Sequence, residues 1–164
     1  MSHGRKPRRP GRISPNPIAL ARNNATRLTP AEISKAITPL RAAARALREG
    51  VATEWEWSVV ASAMNVAQVI ERQGVVRGLV EHLHSAELAL QAIQQRAMSG
   101  GAWQATALYY QELDHITEAV DLHEFQMQQL SYGEFRRAVV RAEAEIRSAG
   151  GPVVDVGQME GMAA

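Results

Sequence analysis

At 164 residues, 46% of them hydrophobic and 5% aromatic, the chain is the size of one domain and has enough apolar mass for a core without staples. The absence of cysteine excludes disulfides, zinc–thiolate sites and thiol catalysis, and no apolar run approaches the roughly 18 residues of a membrane-spanning helix. Seven of the 18 Lys and Arg residues precede the first acidic residue, Glu32, which leaves 11 basic against 17 acidic, a net of −6, for everything after: a cationic arm on an acidic body.

Residues 1–28 hold that arm. Arg5, Lys6, Arg8, Arg9 and Arg12 alternate with Pro7, Pro10 and Gly11, and Pro15, Pro17 and the Asn23-Asn24 pair follow. So few apolar side chains do not offset the entropy of ordering, and the expectation is a disordered segment. Ile18 to Leu20 is too short for the apolar part of a signal peptide, so a cytoplasmic protein is expected.

The body reads as five helices. Thr29-Pro30-Ala31-Glu32 is a capping box with proline at the first helical position, and Ile33, Ile37, Leu40, Ala44 and Leu47 carry an apolar stripe to Gly50. Pro39 interrupts that stripe and predicts a kink, or else a second short helix capped at Thr38. A second box, Thr53-Glu54-Trp55-Glu56, opens a helix with Trp57, Val60, Met64, Ala67 and Ile70 inward, closed by Gly74. The third helix runs from about Val76 through Leu79, Val80, Leu83, Ala86, Leu90, Ile93 and Ala97, with Gly78 as a weak point in its first turn and Gly100-Gly101 as its stop. A fourth, from near Trp103, places Tyr109, Leu113, Ile116, Val120, His123, Met127 and Leu130 on one stripe. Ser131-Tyr132-Gly133-Glu134 is the third box, opening a helix with Phe135, Val139, Ala142 and Ile146 inward, ended by Gly150-Gly151-Pro152. Residues 152–164 show no sustained pattern and are expected to be disordered.

Short connections make neighbouring helices antiparallel, so the fold class is all-α: an up-and-down bundle of four to five helices over residues 29–151. Five apolar stripes suffice to bury one another, which sets monomeric packing ahead of a homodimer through the fourth helix.

The sharpest chemical lead is a pair of Glu-x-x-His spacings, Glu81 to His84 and Glu112 to His115, the arrangement that supplies metal ligands in di-iron bundles. At 100° per residue, however, Glu81 points to solvent and only Glu112 faces inward, so a di-metal oxidase is the least favoured function and no metal or cofactor is expected. His123 lies on an apolar stripe, where a histidine is ordinarily a hydrogen-bonded core residue. No nucleophile elbow, catalytic triad or phosphate-cradling loop is present in the sequence, and a non-enzyme is expected. Trp55 lies two residues from the inward Trp57 and so faces elsewhere, a candidate anchor for a partner.

The arm's mixture of Arg, Pro and Gly resembles the AT-hook class of minor-groove binders, with Arg9-Pro10-Gly11-Arg12 in place of that family's Arg-Gly-Arg-Pro order. Taken together, the basic leader, Leu28-Thr29-Pro30-Ala31-Glu32, Asn65-Val66-Ala67, and the run Ser131 to Val139 resemble small uncharacterised helical proteins of proteobacterial phages and mobile elements, across about residues 5–148. That resemblance implies a bacterial cytosol and an accessory role. The expected function is therefore a protein-interaction bundle with an unknown protein partner and no membrane association. The alternative is non-specific nucleic-acid binding, with Arg5, Lys6, Arg8, Arg9, Arg12, Arg136, Arg137 and Arg141 contacting phosphates or an acidic partner.

Overall fold

The computed structural model describes residues 16–150, and the regular elements among them are six helices and one isolated β-bridge. In order they are α1 (Pro17–Ala25), α2 (Pro30–Glu49), α3 (Glu54–Gln73), α4 (Val80–Ala97), α5 (Tyr110–Gln129) and α6 (Tyr132–Ser148). The fold is thus all-helical, with one helix more than the four to five expected. Arg5, Lys6, Arg8, Arg9 and Arg12, and the tail 152–164, lie outside the described residues.

All three capping boxes form. At α2 the Thr29 hydroxyl accepts from the Glu32 N–H at 3.3 Å, and the Glu32 carboxylate accepts from the Thr29 N–H at 2.7 Å. Glu56 and Glu134 reach back in the same way to the Thr53 and Ser131 N–H groups, each at 2.8 Å. The Thr53 hydroxyl, which also donates to Glu56, holds that carboxylate below the usual range ahead of the backbone bond, and for Glu32 and Glu134 the Thr29 and Ser131 N–H groups come first and the hydroxyls second. Pro39 does not divide α2, which continues as one helix to Glu49.

Three expectations need correction. Residues 17–25, assigned to a disordered arm, are the helix α1, although none of its residues is buried. Its support comes from hydrogen bonds instead: the Asn16 side-chain Oδ1 caps it by accepting from the Ile18 N–H at 3.0 Å, and the backbone leaving it pairs with the α5–α6 junction. There the Leu28 N–H donates to Leu130 O at 3.1 Å and the Tyr132 N–H to Thr26 O at 2.8 Å. Gly133 permits this approach, because a Cβ at that position would lie 2.8 Å from Asn24 O.

The second correction is the start of α4, which is Val80 and not Val76. Gly78 takes φ +96°, outside the helical region, and Glu71 organises the connection by accepting from the Gly78 and Leu79 N–H groups at 2.7 and 3.2 Å. The third is the start of α5, at Tyr110 instead of near Trp103. Trp103 is drawn away to donate its indole N–H to Ala52 O at 2.9 Å and to lie against Trp57, ring centroids 6.0 Å apart. A tertiary contact therefore outcompetes one or two further helical turns.

α3 is the hub, with α2, α4, α5 and α6 all packed on it. Val60, Ala67, Val69 and Ile70 on this helix are fully enclosed, each large side chain contributing about 1.5–3 kcal/mol through burial. The α4–α5 side of the hub is closed by Leu83, Leu90, Ile93, Ile116, Val120 and Met127. On the other side, α6 meets the core through Gly133, Ala138 and Ala142, its only buried residues. Among the described residues no helix is long and apolar enough to cross a membrane.

Candidate functional site

α2 and α6 both lie on α3 without packing extensively on each other, and the gap between them is a groove of about 360 Å³. Small residues on α6 cause it. Ala138 and Ala142 let that helix sit close to α3, so its larger side chains Phe135, Val139 and Ile146 are left half-buried as one wall. The facing wall is Leu28, Ala36 and Leu40, the floor is Val59, Ser62, Ala63 and Val66 of α3, and Glu32, Lys35 and Glu143 line the site as well. An apolar trough carrying charges of both signs is the anatomy of a binding site between helices.

His123 of α5 is the groove's buried polar residue, with 4% of its surface exposed. Its Nδ1 lies 3.2 Å from Gln126 Oε1, and Gln126 Nε2 donates to the Ala67 carbonyl at 3.1 Å. Burial pushes the imidazole pKa below its ordinary value, and the Gln126 hydrogen bond offsets only part of that. The ring is therefore neutral at physiological pH, as expected of a core histidine.

On the opposite side of the bundle, Arg96 and Glu112 form a two-pronged ion pair, Nη1 to Oε1 at 2.7 Å and Nη2 to Oε2 at 2.6 Å. Burial opposes the charge on Glu112. The Arg96 hydrogen bonds and the Tyr109 N–H, which donates to Oε2 at 2.9 Å, outweigh it and hold the carboxyl below its usual range. Arg96 also stands over the Tyr109 ring, 4.6 Å from its centroid. Glu112 thus does face inward, but its two oxygens are taken by an arginine. Glu81 and His84 are exposed, and His82 pairs with Glu118 at 3.1 Å. Among the described residues no three His, Asp or Glu side chains gather in a metal-binding group.

The remaining sequence candidates are scattered. Trp55 is 44% exposed at the start of α3, whereas Trp57 is half-buried and donates to Leu90 O at 2.9 Å. Arg136 and Arg137 are exposed on α6, but Arg141 is held by Glu145 at 3.0 Å, and Glu145 also takes Arg72 at 2.5 Å. Those hydrogen bonds and charges, Arg141 first, keep Glu145 below its usual range. The groove itself escaped the sequence reading: Phe135, Val139 and Ile146 have the spacing of a core stripe, and periodicity does not distinguish a filled interface from an open one. A histidine, His123, on the apolar stripe of the preceding helix, α5, was the one available signal.

No protein-family model, curated protein or solved structure matches this chain.

Proposed function

We propose that the protein is a non-enzymatic accessory module of bacterial or phage origin that binds a protein partner in the α2–α6 groove. In this reading α2 to α5 alternate in direction, as their connections favour, and the partner supplies apolar side chains that complete the cover over α3. The observation that carries it is the pair of walls that do not close: Phe135, Val139 and Ile146 face Ala36 and Leu40 across an open trough. The cationic residues Arg5, Lys6, Arg8, Arg9 and Arg12 then serve as a tether that raises the encounter rate, while the groove supplies selectivity. Affinity capture from the encoding host tests this with three proteins: the unaltered chain, Val139→Arg, and a chain with those five arm residues replaced by Ser. The expected result is a partner retained by the arm variant and lost by Val139→Arg, and the reverse pattern would assign recognition to the arm.

A second reading, nucleic-acid association, rests on the exposure of Arg136 and Arg137. Against it, α6 also carries Glu134, Glu143 and Glu145, so its surface is mixed in sign. A filter-binding titration against salt decides the matter: association through phosphates weakens linearly in log salt, and no binding at low ionic strength removes this reading.

A further inference from the structure

The hydrogen-bond chain beneath the groove determines which atom of His123 is offered to a ligand. Ala67 O can only accept, so the Gln126 atom 3.1 Å from it is the amide nitrogen, and the atom 3.2 Å from His123 Nδ1 is the amide oxygen. That oxygen also only accepts, so Nδ1 carries the imidazole proton. In the neutral ring the lone pair is then on Nε2. Nε2 makes no hydrogen bond among the described residues, and it is not one of the side-chain atoms sealed from the surface without a partner. It is a hydrogen-bond acceptor on a residue that lines the trough together with the apolar side chains Val66, Phe135 and Val139. The hydroxyl of Ser62, on the α3 floor of the trough, likewise has no partner among the described residues.

We infer that the groove takes an aromatic side chain bearing a donor, tyrosine or tryptophan, from an amphipathic segment of a partner protein, with its O–H or N–H donating to His123 Nε2. This rests on the groove being the binding site proposed above. The chemistry follows from three features. Walls of Phe135, Val139, Val66 and Leu40 favour an apolar body, and the buried acceptor rewards a donor at the tip. The trough's about 360 Å³ is at the small end of the roughly 300–1,000 Å³ of ligand sites, enough for one large side chain and parts of its neighbours. Charges of both signs at Glu32, Lys35 and Glu143 suit the polar face of an amphipathic segment better than a lipid or a nucleic acid. An unpaired donor-free ring in the same place would leave Nε2 buried without a partner, which is the source of selectivity against phenylalanine.

The test uses the full chain, p-cresol and indole as probes, and 4-methylanisole, 1-methylindole and toluene as matched compounds without the donor. Binding is followed by NMR shifts at Val66, Phe135, Val139 and His123, together with the nitrogen resonance of His123 Nε2. The inference predicts affinities for p-cresol and indole at least about tenfold above those of the methylated compounds. It also predicts an Nε2 resonance of the unprotonated type that moves with p-cresol and stays with 4-methylanisole. His123→Phe should erase the affinity difference, and because the Nε2 readout needs no variant, failure of that variant to fold does not weaken the test. A helical peptide with one Tyr among Leu, Ala, Glu and Lys should bind the groove more tightly than its Phe counterpart. Equal affinity for donor and methylated probes, or a proton on Nε2, overturns the inference while leaving the apolar groove in place. Binding of free p-cresol with exclusion of the peptide overturns the side-chain assignment in favour of a small phenol. No probe in the groove overturns the groove reading, and this inference with it.

Discussion

The two sides of α3 are built from the same kinds of residue and end in different states. Toward α4 and α5, long aliphatic side chains interlock, and the inward carboxylate Glu112 is bound by Arg96, so the interface is closed and largely satisfied. Toward α2 and α6, Ala138 and Ala142 bring one helix close while its larger residues stand beside the contact, and an acceptor on His123 remains open. Small residues in a helix interface therefore do two things at once: they shorten the distance at the crossing and strand the bulky neighbours on its flank. The closed side supplies stability and the open side supplies a surface.

If that division is right, stability and binding should separate by side. Leu90→Ala, on the closed side, should cost the most, about 3 kcal/mol in urea unfolding, because it removes a side chain that is 3% exposed and leaves a cavity. Glu112→Ala should follow at about 2–3 kcal/mol, less than a fully buried pair because Arg96 keeps some contact with water. The same variant should lose protection of the Tyr109 amide in hydrogen exchange.

The open side has a conditional effect. His123 is neutral in the fold and its pKa lies below the unfolded value, so between those two values only the unfolded chain takes up the proton. Stability should be complete above about pH 6.5 and fall as pH drops toward the folded pKa. Denaturation midpoints measured from pH 7.5 to 5 should show that slope in the unaltered chain and lose it in His123→Phe. Below about pH 4.5 a separate loss should begin as Glu112 and Glu134 are protonated. The smallest effect is expected for Val139→Arg, under about 1 kcal/mol, since the half-buried side chain can be replaced by one whose charge reaches water. A loss as large as that of Leu90→Ala would show that the α2–α6 side is core and not surface.

Much of this architecture was legible in one dimension. Thr29, Thr53 and Ser131 with Glu32, Glu56 and Glu134 marked three helix starts because a capping box closes over four residues and needs nothing from the rest of the chain. A fourth carboxylate, Glu112, closes on the Tyr109 N–H, and was not read as a cap because tyrosine is not a capping residue. The inward direction of Glu112 and the burial of His123 also followed from 100° per residue. What they face did not, because Arg96 and Gln126's partner Ala67 belong to other helices.

The sequence by itself determined the helical class, most helix ends and most of the residues that turn inward, since these depend on spacings of three or four residues and on local backbone chemistry. Tyr109 and Val80, also on the expected stripes, are 65% and 58% exposed because they stand at the very starts of α5 and α4. Tertiary structure alone decided that residues 17–25 fold, that the chain around Trp103 stays out of α5, and that α6 approaches α3 closely enough to leave a trough. Each of those turns on an interaction between distant segments: Leu28 with Leu130, Trp103 with Ala52, Ala138 and Ala142 with the hub. Apolar periodicity says that a face will be covered, whereas the distance between two covering helices is set by side chains on both, and that distance separates a core from a groove.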